Sequence, residues 1–124
     1  MSEMMNVFFE KVTPCLNNIY KFEIKNGNAM PPEPKLPDCV VERLNFFMPM
    51  REEGMTFLGV LNCVLAIDEE QAKKDYSFGA VEDWLPVTDE FRKWRDDYPA
   101  SVYHQMEIAV AILYGYVGQE HQED

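Results

Sequence analysis

The sequence predicts a small α+β protein, mainly α-helical: a helical bundle of about four to five helices with a short N-terminal two-stranded β element. Three observations carry this expectation. Apolar residues recur at three- and four-residue steps through much of positions 38–118, β-branched and aromatic residues crowd two segments before position 26, and four prolines between Pro31 and Pro37 separate the two regions. With 124 residues, 47% of them hydrophobic, the chain has the length of one domain and enough apolar side chains for one core. The expected organisation is a single domain, 1–124: a β element over 1–28, a Pro-rich linker over 29–37, a helical core over 38–118 and a frayed tail over 119–124.

Asn6–Val12 and Ile19–Lys25 read as strands. The second alternates Tyr20, Phe22 and Ile24 with Lys21, Glu23 and Lys25, the pattern of a half-buried strand, and Val7–Val12 is its expected partner. Asn26-Gly27-Asn28 is a turn, because Gly and Asn tolerate positive φ, but no strand is expected after it. In Met30–Pro37 the prolines lock φ and exclude helix, so the segment is a stiff linker; a Pro-x-x-Pro ligand for an aromatic groove is the functional alternative.

From Asp38 the pattern is helical. Val40, Val41, Leu44, Phe47 and Met48 share a face, Asp38 caps the start and Pro49 enforces the stop. Thr56 caps a second helix, apolar almost all round from Phe57 to Ile67 and therefore central; Gly59 within it admits a close helix approach, and its end dissolves into Asp68-Glu69-Glu70. Gly79–Leu85 reads as a short helix stopped by Pro86, with Val81, Trp84 and Leu85 inward. Thr88 caps another, Asp89–Tyr98, with Phe91, Trp94 and Tyr98 on one face and Pro99 at its end. Ser101 caps the last helix, on which Val102, Met106, Ala109, Ile112, Leu113 and Tyr116 recur; Gly115 or Gly118 ends it.

Charge excludes several functions. The net charge is −11, and its distribution is uneven: residues 1–62 carry 8 acids and 6 bases, net −2, whereas residues 63–124 carry 14 acids and 5 bases, net −9. Such a surface repels phosphate and anionic lipid, so neither direct nucleic-acid binding nor membrane association is expected; the fitting partners are basic proteins. No apolar run approaches a membrane span and no signal peptide is recognisable, so a cytoplasmic location is expected. Cys15, Cys39 and Cys63 are an odd set without a C-x-x-C pair, and read as buried reduced thiols.

No catalytic motif stands out. The glycines form no phosphate-binding loop, so nucleotide chemistry is not expected. His104 and His121 are the only histidines, without H-E-x-x-H, so no metal and no cofactor are expected, and His104 reads as a surface or first-turn residue. Cys63 lies among Leu61, Val64 and Leu65, where an apolar environment keeps a thiol inert.

The acidic doublets are the most informative feature. Asp68-Glu69-Glu70 is followed by Glu82-Asp83, Asp89-Glu90 and Asp96-Asp97, the last three spaced by seven residues. On one helix, seven residues are about two turns, or ~10 Å along one face, so Asp89/Glu90 and Asp96/Asp97 can point the same way. The bland interpretation is a solubilising surface with helix-start acids favoured by the macrodipole; the sharper one is a phosphate-mimicking stripe, with Trp94 among the aromatics that would anchor it.

Leu36–Val41, Gly54–Gly59, Val81–Leu85 and Ile108–Tyr116 together resemble an uncharacterised protein family of phages and prophages of low-GC Gram-positive bacteria, over residues 36–117. The chain departs from that family's pattern by a charged insertion at Pro86–Tyr98. The family has no established activity; the resemblance implies a small accessory protein of a mobile element, expressed in a bacterial cytoplasm. Joined to the charge, it leads to the expectation of a non-enzymatic anti-CRISPR-like inhibitor of a host nucleic-acid-handling protein, such as a CRISPR nuclease. An immunity protein neutralising a cationic toxin and a phage assembly factor are the alternatives. The expected partner-binding residues are Asp68, Glu69, Glu70, Glu82, Asp83, Asp89, Glu90, Trp94, Asp96 and Asp97.

Overall fold

A computed structural model describes residues 3–77 and 83–118. Within them the chain is mostly helical with a small antiparallel two-stranded sheet, as the sequence predicts; the described helices number six, and the sheet follows the first helix instead of opening the chain.

The largest departure is at the N-terminus. Residues 6–12, expected as a strand, lie inside α1 (Glu3–Tyr20). Phe8, Val12, Cys15 and Ile19 step by four, three and four positions and so fall on one helical face; the last three are buried, whereas Val7 and Phe9 are exposed. Burial of that long stripe overrides β propensity, which is a weak, context-dependent preference. Only Glu23–Lys25 (β1) is strand, and it pairs with Asn28–Met30 (β2). Asn26 and Gly27 both take positive φ, 53° and 79°, the mirror-image turn that matches hairpin twist. The Asn-Gly turn is present as predicted, but it closes a hairpin forward onto Asn28–Met30 and not back onto Val7–Val12. The expected half-buried alternation is absent too: Tyr20, Phe22 and Ile24 are all exposed.

The proline segment is more than a linker. Pro32 and Pro34 are buried, and Lys35–Leu36 (β3) pairs in parallel with Val117–Gly118 (β4), tying the segment to the far end of the chain. Next, α2 (Asp38–Phe47) forms as predicted, with Pro37 rather than Asp38 at the N-cap. It runs into a 3₁₀ turn, Met48–Glu53, in which Pro49 occupies a first-turn position where its missing N–H costs nothing. In α3 (Phe57–Leu65) the Thr56 hydroxyl accepts the Gly59 N–H at 3.0 Å, the predicted cap. A Cβ on Gly59 would lie 2.7 Å from Met55 Cγ, so Met55, not a second helix, uses the space. Leu58 is 63% exposed, which makes α3 one-sided where an all-round buried helix is predicted.

Asp68-Glu69-Glu70 opens a helix that the sequence reading does not contain, α4 (Glu69–Ser77): Asp68 Oδ1 accepts the Gln71 N–H at 3.2 Å, and Ala72 and Tyr76 turn inward one turn apart. The short helix expected at Gly79–Leu85 falls partly outside the described residues, and Asp83–Leu85 is irregular. Thr88 caps α5 (Asp89–Arg95) by accepting the Phe91 N–H, as predicted, but the helix ends three residues early and leaves Tyr98 exposed. The last helix, α6 (Ser101–Tyr114), begins behind Ala100 without a side-chain cap from Ser101 and ends at Gly115. Its inward face is His104, Glu107, Ile108, Ala111 and Ile112, whereas Val102, Met106 and Leu113 are exposed. The expected stripe is therefore rotated, because two polar residues that satisfy each other can be buried. The expected frayed tail, 119–124, lies outside the described residues.

The main core joins α2, α3 and α6 with Phe91 of α5, and α1 packs on α6. At its centre lies a charge. Arg43 is 2% exposed; Nε donates to Val64 O, Nη2 to Cys63 O, and Nη1 to Leu85 O and Pro86 O, three of these at 2.8 Å and the last at 3.2 Å. The rings of Phe47, Trp84 and Phe91 surround the guanidinium at 5.1–5.7 Å from their centroids. Burial pulls its pKa down to about 10, with Glu69 opposing. Arg95 completes the arrangement by donating to Leu65 O and Ala66 O at 2.9 Å, so two arginines satisfy the orphan carbonyls that end α3.

Replacing Arg43 by Ala strands those acceptors in the core, and we expect a loss of about 3–5 kcal/mol in urea unfolding. Arg43→Lys recovers less than half, because an ammonium lacks the planar fork; full recovery by Lys would show that charge alone, and not the fork, is what the core needs.

Candidate functional site

The face of α1 that packs on α6 is a ladder of polar contacts. Lys11 Nζ meets Asp97 Oδ1 at 2.8 Å, Cys15 Sγ lies 3.9 Å from His104 Nδ1, and Asn18 Nδ2 donates to Glu107 Oε2 at 2.6 Å. Cys15 and Asn18 are one helical turn apart, as are His104 and Glu107, so the two helices meet in parallel register. Between the last two rungs, His104 Nδ1 approaches Glu107 Oε1 to 2.5 Å. Cys15, His104 and Glu107 are all buried, and their ligating atoms lie within 4.8 Å of one another.

His104 and Glu107 are each held from outside the cluster. Trp94 stacks on the His104 ring at 3.8 Å between centroids and 18° between planes. Asn18 grips the Lys35 backbone through both N–H and C=O while it donates to Glu107, which anchors the proline segment over the site. These elements wall a cleft of about 930 Å³, lined by α1, residues 30–37 and the α5–α6 corner, and the cluster forms part of its lining.

Cys, His and a carboxylate together suggest nucleophilic catalysis, but the geometry opposes it. A working triad uses both ring nitrogens, one toward the nucleophile and one toward the acid. Here the same nitrogen, Nδ1, faces both Cys15 and Glu107, and the carboxylate takes the closer place. Burial, reinforced by the negative charge of Glu107, pushes the Cys15 thiol up to about 12, the reverse of activation. Burial also raises Cys63 to about 11 against the opposing Arg43, and raises Cys39.

His104 is therefore no surface residue: it is a buried member of a cluster that sequence reasoning missed. The i,i+3 spacing of His104 and Glu107 is visible in the sequence, but Cys15 comes from 89 residues away, on a segment read as loop and strand.

The predicted acidic residues fall into two groups. Several are committed to the fold. Asp68 caps α4; Glu69 Oε2 accepts from the Trp84 indole at 2.9 Å and from the Val87 N–H at 3.0 Å. Asp96 forms a two-pronged pair with Arg95, Asp97 pairs with Lys11, and Asp89 pairs with Arg92 across one turn. Trp94 spends one face on His104. Glu70, Asp83 and Glu90 are exposed, and no ion pair engages them among the described residues; Glu82 lies outside those residues. The doublets Asp89/Glu90 and Asp96/Asp97 do not share one helix, because α5 ends at Arg95.

Two outcomes are expected. All three thiols resist Ellman's reagent at neutral pH and react fully once the chain is unfolded in guanidinium; a fast native-state reaction at Cys15 would identify an activated nucleophile. Burial raises the Glu69 pKa, but hydrogen bonds from Trp84 and Val87 and the Arg43 charge outweigh it and hold the carboxyl below its ordinary value. Its stabilising contribution is thus complete above the unfolded value and fades as pH falls through the depressed one. Glu69→Gln should lower stability at neutral pH by about 1–2 kcal/mol and flatten the acid limb of a stability–pH profile; an unchanged limb would remove Glu69 from that account.

No helix among the described residues is long and apolar enough to cross a membrane. No protein-family model, curated protein or solved structure matches this chain.

Proposed function

We propose that the protein is a non-catalytic acidic binding protein that occludes the basic groove of a host nucleic-acid-handling protein, such as a CRISPR nuclease, as a phage-encoded inhibitor acting in the bacterial cytoplasm. The observation that carries this reading is the surplus of carboxylates: with a net charge of −11, Glu42, Glu70, Asp83 and Glu90 are among the acids that remain exposed without an ion pair among the described residues. Glu42 lies on α2 and Glu90 in the first turn of α5, two helices in contact. Unpaired surface acids suit a partner surface that expects phosphates, and require no chemistry.

Relative to the sequence reading, the acting residues shift. Glu69, Asp96 and Asp97 serve the fold, and Glu42 joins Glu70, Asp83 and Glu90 as the recognition set. Attraction of this kind raises association rate and salt sensitivity more than affinity, and falls away over a screening length of ~10 Å at 0.1 M salt.

The test is a paired capture experiment from a bacterial host lysate, with the natural chain and the variant E42Q/E70Q/D83N/E90Q, at low and high salt. A basic nucleic-acid-binding protein should be retained by the natural chain at low salt, released at high salt, and bound by the variant at least ~10-fold more weakly with unchanged circular dichroism. Equal capture by the variant would sink the reading. A captured cationic toxin would replace the groove-occluding role with neutralisation.

A further inference from the structure

The Cys15–His104–Glu107 cluster has a composition and a geometry that neither a packed core nor an acidic binding surface requires. We propose that it is a binding site for a divalent, borderline-soft cation of the zinc class, with Cys15 Sγ, His104 Nδ1 and Glu107 Oε1 as ligands and a fourth position facing the cleft. The inference is independent of the proposed partner.

The donor set is the first argument. Thiolate, imidazole and carboxylate are the three side chains that Zn²⁺ takes, and three protein ligands leave one position for water or a small ligand. All three point inward to one place, within 4.8 Å of one another, although they come from α1 and α6, at opposite ends of the chain.

The distances are the second. With metal–sulfur and metal–nitrogen bonds of the usual length, a tetrahedral centre sets sulfur and nitrogen about 3.6 Å apart; here they stand at 3.9 Å. Nitrogen and oxygen would stand about 3.3 Å apart around the same ion. They now share a hydrogen bond at 2.5 Å, so Glu107 Oε1 must withdraw by about 0.8 Å. On binding, the proton between His104 and Glu107 and the thiol proton of Cys15 leave to solvent, and the cation takes their place.

The third is the support around the ligands. Metal-binding side chains are commonly oriented by groups behind them. Asn18 holds the other carboxylate oxygen of Glu107, Trp94 fixes the plane of the His104 ring, and Cys15 is set on α1 one turn from Asn18. The cleft that these residues line supplies room for water or a small ligand on the remaining position.

The test uses the full chain and Co²⁺ as a spectroscopic substitute. One equivalent of Co²⁺ should give the intense visible bands of a tetrahedral ion together with a near-ultraviolet thiolate-to-cobalt band, and Zn²⁺ should bleach both. C15S should abolish the thiolate band, whereas C39S and C63S should retain it. H104F keeps the stack on Trp94, and it and E107Q should each weaken binding more than 10-fold; N18A, which touches no ligand atom, should weaken it by about 10-fold. Absence of the thiolate band in the natural chain overturns the proposal, as does its survival in C15S. Should H104F or E107Q fail to fold, X-ray absorption of the natural chain loaded with Zn²⁺ decides the matter: one sulfur and one imidazole in the coordination sphere support the site, and a sphere without sulfur overturns it.

Discussion

The fold depends on one buried cation. A helix ends with carbonyl groups that its own N–H groups cannot reach, and α3 ends inside the protein, where water cannot take them either. Arg43 from α2 and Arg95 from α5 supply the missing donors: one arginine takes Cys63 O and Val64 O, the other Leu65 O and Ala66 O. Each guanidinium therefore fastens its own helix to the end of α3. The spare donors of Arg43 reach Leu85 O and Pro86 O, which draws the irregular 83–88 segment across the core and brings Trp84 onto Phe47 and Tyr76. A lysine could neutralise the same dipole, but an ammonium with three donors could not serve four carbonyls. Glu69 then closes the arrangement, since the carboxylate that accepts from Trp84 and Val87 also offsets part of the buried positive charge.

This scaffold positions the Cys15–His104–Glu107 cluster indirectly. Arg95 fixes the last turn of α5, and Trp94, its neighbour in sequence, is thereby held where its ring covers His104. The cluster is thus clamped from one side by an element fastened to the core and from the other by α1, which carries Cys15 and Asn18 onto α6. Asn18 ties both to the β3 strand, so the site sits where the two ends of the chain and the proline segment converge. Convergence of three distant segments on one polar cluster is costly to maintain unless every group is satisfied, and no buried side-chain nitrogen or oxygen among the described residues lacks a partner.

The parts of the structure legible in the sequence are those decided locally. Thr56 and Thr88 cap helices as hydroxyls do before an apolar run, the Asn26-Gly27 pair makes its turn, and the α2 stripe of Val40, Leu44 and Phe47 is the core face. What escaped was decided at a distance. The α1 segment carries both β-forming residues and a helical period, and only packing against α6 selects the second. Asp68-Glu69-Glu70 is at once a charge run and a helix start, and the run obscured the cap. Arg43 shows nothing of its burial in sequence, because its partners are backbone carbonyls that any residue could provide. His104 and Glu107 look like polar residues on a helix surface until Cys15 and Trp94 are brought to them.

The same division explains why the charge pattern was only half informative. Acidic doublets repeat in the sequence every seven residues, yet the fold can treat neighbouring acids differently. Glu69 is drawn inward by an indole and a backbone amide while Glu70 remains in water; Asp89 is paired across a turn while Glu90 is not. Spacing along the chain cannot register this, because what sorts the members is whether a donor arrives from another element. The net charge survives the sorting, since each internal pair removes one acid and one base and leaves the surplus of 11 unchanged. The pairs thus decide which carboxylates are held by a cation and which stay in water, while the overall charge is set by composition alone.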